Sequence, residues 1–444
     1  MNILPTVGPI CSSLSSIKSL NRFTNIFRIN GSHNSLDWHS NVINKIKKNN
    51  WQNQILFDIP GVKPRTANTK KIYIKKNQII SFYYLKNARK GLSIPLTHPL
   101  PNLKKVSTFT ISDGKYLFKI LKKQRNCIVA KSFQSFYLDI KKGLNLPYSI
   151  YDDDRQIKLS LKFINKVKNL NFDLIGLSFI QNKRIIKILK KKYPKYLIVS
   201  KIENSEGLKN AEEICEESDI IMIDRGDLAA EIGNEKLFDS INKIVSIAKK
   251  SGKPLIMATE NLDSMIENKL PSKSDVVSLS YYQSLGIETI MLSDETATSK
   301  NYLDTCSWLK NFIVKKKKKI IYNHKIKNDE FILKFLESIN LPLIIFTKKG
   351  YLFEKLQKNR ERNKIYVFSQ KKQLLKISSF LKNVECYILK NFDSKNIDAF
   401  IKSNIKKHKK IIFKNSDKAF LVYVNFPRKN SRANSITLVS KEDF

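Results

Sequence analysis

The chain has 444 residues, 42% of them hydrophobic, with a mean hydropathy of -0.32, which is material for about three domains and excludes a disordered chain. The longest apolar runs, such as 343–346 and 220–223, cannot cross a bilayer, the first residues lack a secretory signal pattern, and Cys11, Cys127, Cys215, Cys306 and Cys386 form no CxxC pair, so a reducing cytoplasm is expected. Lys+Arg is 81 against Asp+Glu 39, a net charge of +42, yet it is spread along the chain with abundant Asn and Ile and no binding motif, so neither a nucleic-acid nor a membrane partner is expected.

Eight short apolar runs fall at residues 3–7, 26–30, 55–58, 173–179, 196–201, 219–223, 254–259 and 288–293. Most are separated by stretches long enough for a helix, for example 205–215, with Ser205 as its candidate cap, and 236–250. Eight strands alternating with helices is the count of a closed (β/α)8 barrel, so an α/β fold built on a TIM barrel is expected. The rhythm breaks between the third and fourth runs, where 66 to 147 is β-rich and turn-rich, as in 71–75 and 116–119; it reads as a small inserted β domain. The lysine run 315–319 reads as a solvated segment between domains, after which 341–347 and 364–368 resume a strand–helix alternation, expected to form a C-terminal α/β domain with a mixed sheet. The expected domains are 1–66 and 148–316 for the barrel, 67–147 for the insert and 317–444 for the C-terminal part.

In such a barrel the active site gathers at the C-terminal ends of the strands, and here those ends are polar. Strand two runs into Arg28-Ile29-Asn30-Gly31-Ser32-His33, and strand three ends in Asp58, followed by Gly61, Lys63 and Arg65. Strand five runs into Lys201-Ile202-Glu203-Asn204, strand six into Asp224-Arg225-Gly226-Asp227, strand seven into Ala258-Thr259-Glu260 and strand eight into Ser293-Asp294-Glu295-Thr296. Glu203 and Asp227 are hard oxygen donors on neighbouring strands, the kind Mg²⁺ or Mn²⁺ takes with phosphate and water. Lys201, two residues before Glu203, faces the same side and is placed to balance charge on a phosphoryl group in flight, with arginines to clamp phosphate oxygens. The amides of Gly226 and Asp227, where strand gives way to helix, offer a hold for a carboxylate.

Taken singly, each group has a plainer reading. Alone, Lys201 is more often a surface lysine, Glu203 or Asp227 a capping or solvated carboxylate and His33 a structural histidine, while Arg28 and Arg65 also read as partners of barrel carboxylates. Their common place at strand ends is what favours a site.

The strings themselves resemble the pyruvate kinase family. Thr6-Val7-Gly8-Pro9 is similar to its T-x-G-P, residues 28–33 to R-x-N-F-S-H, residues 58–65 to D-x-x-G-P-E/K-I-R, and residues 142–147 to K-G-V/I-N-L-P. Residues 201–204 resemble K-I/V-E-N, 225–228 R-G-D-L, 258–265 A-T-Q-M-L-E-S-M and 291–296 M-L-S-x-E-T, in family order from residue 5 to about 300.

The resemblance implies Mg²⁺-dependent (or Mn²⁺-dependent) transfer of the phosphoryl group of phosphoenolpyruvate to ADP, giving pyruvate and ATP, the last step of glycolysis. It implies Lys201, Thr259 and Arg28 as catalytic residues, Glu203 and Asp227 as metal ligands, and Gly226 and Asp227 at the substrate carboxylate. His33, Arg65 and Lys142 would contact the nucleotide; Arg65 would also bind phosphate. Asn30, Ser32 and Asp58 would correspond to a monovalent-cation site, and the insert would be a β-barrel lid. Lys63 stands where potassium-independent members carry lysine, so K⁺ is not expected to be required; Ile59, which lacks a side-chain oxygen, agrees. Gly31, Ala229, Glu260 and Asp294 depart from the family pattern, and Glu260 adds negative charge near a phosphate site. In the loop Thr347-Lys348-Lys349-Gly350-Tyr351-Leu352 only the first hydroxyl of an effector-binding T-x-S-G-x-T is kept, so weak or absent effector control is expected. Residues 272–285 have drifted in the region of subunit contacts, and a homotetramer is expected by analogy alone. The alternatives are a catalytically decayed barrel kept for binding or structure, and a metal-dependent aldolase or lyase on a related barrel; the retained phosphate set speaks against both.

Overall fold

A computed structural model describes residues 1–84, 92–103, 106–112, 114–124, 126–315, 340–348, 350–356, 363–390, 396–423 and 435–444. The lysine run from Lys316 on, and with it the expected boundary near 316, lies outside these residues, as does Lys349.

The eight expected strands all form. They are β1 (Asn2–Pro5), β2 (Ile26–Asn30), β3 (Gln54–Ile59), β4 (Leu174–Leu177), β5 (Leu197–Ile202), β6 (Ile220–Asp224), β7 (Leu255–Ala258) and β8 (Thr289–Leu292). They make one eight-stranded sheet in the order β1-β8-β7-β6-β5-β4-β3-β2, and a parallel bridge of Thr6 with Arg28 brings its two ends together. The strands are apolar runs rather than alternating ones because they are buried on both faces: β3, β4, β5, β6, β7 and β8 have no exposed residue. In register, Asn30 lies opposite Asp58, and Asp58 opposite Gly176, so the polar strand ends fall at one level.

The helices depart from expectation in one place. Residues 205–215 do not form a single helix but two, Ser205–Lys209 and Ala211–Glu217, broken at Asn210. The cap is not Ser205 but Asn204, whose side-chain oxygen accepts from the Gly207 amide at 2.7 Å. Leu237–Lys250 forms as expected, entered by a short 3-10 turn.

Between β3 and β4 the chain forms a six-stranded and a two-stranded sheet around an apolar core in which Phe82, Phe109 and Phe118 are fully buried. Farther on, Leu343–Thr347, Ile365–Ser369 and Val384–Ile388 pair in parallel, Lys418–Tyr423 joins in parallel, and Ser435–Ser440 adds an antiparallel edge. That is the expected mixed sheet, with apolar clusters on both faces. The chain divides into two compact units, Ile3–Tyr281 with Ile290–Trp308 in one, and Met1–Asn2, Tyr282–Thr289 and Leu309–Phe444 in the other. None of the five cysteines is in a disulfide; four are buried and Cys386 is half-buried.

Candidate active site

β5 delivers Lys201 and, one residue past its end, Glu203; β6 delivers Asp224 at its last position, and the helix that follows, Arg225–Ile232, delivers Asp227 in its first turn. Carboxylate oxygens of Glu203, Asp224 and Asp227 all lie within 4.8 Å of one another. Lys201 Nζ sits 3.0 Å from Glu203 Oε2, 3.1 Å from Asp224 Oδ2 and 3.6 Å from Asp58 Oδ2. The lysine is buried at 5% exposure, so it is not a surface lysine; it is ringed by acids. Burial alone would strip its proton, but Asp58, Glu203 and Asp224 outweigh that and hold it well above the ordinary lysine range, as an ammonium.

Burial drives the Glu203 carboxyl well above the carboxylate range against the pull of Lys201. Burial also works on Asp227, yet there Lys63, then Lys201 and Arg65, prevail and keep it low. Glu203 Oε1 accepts the Phe179 amide at 2.6 Å, while Oε2 faces the cluster with no well-directed hydrogen bond. Such a set of crowded, hard oxygen donors, with one buried oxygen lacking a hydrogen bond, fits a small divalent cation: Glu203 and Asp227 would hold it.

Arg28 is buried, its Nε and Nη2 donating to Asp58 Oδ2 at 3.0 and 2.7 Å and its Nη1 to Thr6 at 2.9 Å. Pairing with a barrel carboxylate is thus real for Arg28. Thr259 follows β7 with φ 63, a rare conformation for a β-branched residue, costing on the order of 1–3 kcal/mol. Its hydroxyl lies 2.9 Å from Asp224 Oδ1 and accepts the Gly226 amide at 3.0 Å. One of the two amides expected for a carboxylate is therefore engaged by Thr259.

A family model described as pyruvate kinase, barrel domain, matches residues 1–305. The chain belongs to the pyruvate kinase family. It is 28% identical over 469 aligned positions to the pyruvate kinase of Methanocaldococcus jannaschii, covering 99% of this chain and 98% of that one. It is 29% identical over 371 positions to the pyruvate kinase of Thermotoga maritima, covering 77% and 78%. Its fold is similar to the crystal structure of a pyruvate kinase from Cryptosporidium parvum, with TM-score 0.82 and 24% identity over 99% of this chain and 95% of that one. Pyruvate kinases are phosphotransferase enzymes.

The remaining residues that the family pattern singles out are spread around this centre. Lys63 is buried, its ammonium ion-paired to Asp227 and 5.4 Å from the centre of the Phe179 ring. Asn30 Oδ1 accepts the Ser32 amide at 3.1 Å, and Asp58, on Arg28 and the Ser178 hydroxyl, is held low: burial opposes ionisation, but Lys201 and Arg28 exceed it. Arg65 is exposed, its Nη1 donating to the Lys141 carbonyl at 3.4 Å; Lys142 is half-buried, its amide donating to Thr66 at 3.0 Å. The His33 imidazole is held below its ordinary range by desolvation and then by the charges of Arg65 and Arg28. Gly31 is required by space: a Cβ there would come within 2.7 Å of the Phe57 ring and 2.9 Å of the Asp58 carbonyl. Thr347, the one retained hydroxyl of the effector loop, accepts the Gly350 amide at 3.0 Å and so shapes its own turn.

Sequence reading missed three participants. Asp224 entered it only as the end of a strand, although its position beside Arg225-Gly226-Asp227 was a usable signal. Asn145 donates to Asp227 at 3.3 Å, and Glu231, fully buried, accepts the Leu146 amide at 3.3 Å. Asn145 lies in the family-like string 142–147 but its partner could not be read there, and Glu231 carries no local signal, because both contacts bridge the insert's return strand and the Asp227 helix, over 80 residues apart.

Proposed function

We propose that this enzyme transfers the phosphoryl group of phosphoenolpyruvate to ADP, giving pyruvate and ATP. One observation carries the reading: on the rim of a barrel of this family, an ammonium, Lys201, and the carboxylates of Glu203 and Asp227 gather around one point. In the reaction the enol oxygen–phosphorus bond breaks, a bond forms to a terminal phosphate oxygen of ADP, and the enolate takes up a proton at its terminal carbon. Lys201 neutralises charge on the migrating group and then on the enolate oxygen. Arg28 and Arg65 bind phosphate, the Asp227 amide remains for the substrate carboxylate because Thr259 holds that of Gly226, and Thr259 lies on the side of the carbon that is protonated. His33, Arg65 and Lys142 serve the nucleotide. Glu203 and Asp227 would hold Mg²⁺ or Mn²⁺, which would supply Lewis-acid polarisation of substrate oxygens. The ammonium of Lys63 provides fixed positive charge beside Asp227, which makes K⁺ unnecessary at Asn30, Ser32 and Asp58. The insert acts as a lid that excludes water.

We place the activity in the cytoplasm, in keeping with the cytosolic pyruvate kinase isozyme of Nicotiana tabacum among the relatives, 29% identical over 318 positions. Among the described residues no helix is long and apolar enough to cross a membrane. The exposed apolar side chains Phe238 (60%), Leu270 (70%) and Val277 (67%) support assembly, with a homotetramer as the proposed state. An assay coupling pyruvate formation to lactate dehydrogenase tests the reaction: equal Mg²⁺-dependent rates with and without K⁺ are expected. Absence of Mg²⁺-dependent pyruvate rejects the reading. Sedimentation velocity reads the oligomeric state separately.

A further inference from the structure

We infer that Asp224 is a positioning residue that fixes the Thr259 hydroxyl and the Lys201 ammonium for the reaction; the inference rests on the kinase reading above. Asp224 occupies the N-cap position of the helix Arg225–Ile232, where an aspartate ordinarily accepts an amide of the first turn. It forgoes that bond. Its Oδ1 instead lies 2.9 Å from the Thr259 hydroxyl and its Oδ2 3.1 Å from Lys201 Nζ. The first-turn amide of Gly226 goes to Thr259 Oγ1 at 3.0 Å, so the threonine takes over the cap and the aspartate is released for the site.

The consequence for Thr259 is a fixed hydroxyl. It has one hydrogen and two acceptors in reach, Asp224 Oδ1 and the Ala258 carbonyl at 2.7 Å. The carboxylate, being charged, is the stronger acceptor. A β-branched residue at φ 63 stays there only when its surroundings over-determine it, and the Asp224 and Gly226 contacts do so. For Lys201, Asp224 is one of three carboxylates that hold the ammonium from different strands. Asp224 belongs to the carboxylate cluster, with Oδ1 on the Thr259 hydroxyl and Oδ2 on the Lys201 ammonium, and Mn²⁺ affinity separates a positioning residue there from a metal ligand.

The test compares wild type, Asp224→Ala and Asp224→Asn in three measurements. These are the coupled assay, exchange of pyruvate methyl protons with D₂O followed by NMR, and Mn²⁺ affinity by electron paramagnetic resonance; circular dichroism checks folding. Misplacing reacting groups costs on the order of 10²-fold, so Asp224→Ala is expected to lower kcat and methyl exchange by about 10²-fold. KM for phosphoenolpyruvate and Mn²⁺ affinity should stay within about 3-fold, as expected of a residue that acts through Thr259 and Lys201 and holds neither ligand itself. Asp224→Asn keeps the shape and one acceptor for Thr259, and should restore about a tenth of the wild-type rate, even if the alanine variant fails to fold. Wild-type kcat in both variants overturns the inference, as does a loss of Mn²⁺ affinity that matches the loss of rate, which would make Asp224 a metal ligand. An inactive wild type overturns the kinase reading and, with it, the step that Asp224 would serve; the two failures are thus read from different proteins.

Discussion

The barrel and the central strands of the C-terminal sheet, Leu343–Thr347 and Ile365–Ser369, are built from the same material, short apolar parallel strands buried on both faces, yet their strand ends behave differently. In the C-terminal sheet the polar groups at strand ends serve the backbone: Thr347 accepts the Gly350 amide and Ser369 the Lys371 amide. In the barrel the strand ends carry Arg28, Asp58, Lys201, Glu203 and Asp224, which are buried and bind one another. Burying charges such as those of Arg28, Asp58 and Lys201 costs several kcal/mol each before pairing, and apolar residues of the same volume would be no less stable. On the proposed reaction, charge kept there at such cost is charge kept for chemistry. Neutral hydroxyls at the other strand ends serve the fold.

The largest effect that can break this contrast is at Lys201. Lys201→Met should lower kcat by about 10⁴-fold, or about 5.5 kcal/mol, in the coupled assay while the circular dichroism spectrum is retained. A folded variant with near wild-type turnover would make the buried charges structural after all. On the other side of the contrast, Phe368 is fully buried and stacks on Phe346 with ring centres 4.5 Å apart. Phe368→Ala should cost about 3–5 kcal/mol, seen as an earlier unfolding transition in urea.

A smaller effect is carried by pH. Burial pushes the Glu231 carboxyl up to about 8 from its usual 4.5. Between those values the folded protein keeps a proton that the unfolded chain has lost, so this contribution is complete below the window, falls as pH rises through it, and is gone above it. The slope is at most about 1.4 kcal/mol per pH unit, and Glu231→Gln should flatten the pH dependence of the melting temperature between pH 5 and 8. The smallest effect is expected at the exposed pair of Lys187 with Glu217, 3.2 Å apart, where Lys187→Ala should shift stability by less than about 1 kcal/mol.

Much of this was legible in the sequence. Strands buried on both faces leave uninterrupted Ile, Val and Leu runs, and so all eight barrel strands could be found to within a residue or two. The rim residues could be named because strand ends in a barrel share a level whatever the loops do. What could not be read depends on contacts distant in sequence. Nothing near Lys63 says that its ammonium goes to Asp227, and nothing near Asp224 says that Thr259 will relieve it of capping. The break at Asn210 was hidden for a similar reason: its side-chain amide donates to the Gln181 carbonyl at 2.7 Å, in a loop from a different strand.

The state of the thiols has a practical use. Burial raises Cys11 to about 11 and Cys215 and Cys386 to about 12, and Cys306 well above its ordinary value, so at neutral pH all four are protonated and poor nucleophiles. A fluorophore or spin label aimed at a cysteine introduced on the insert, for instance at the exposed Tyr137, should therefore react there in preference to these four native positions.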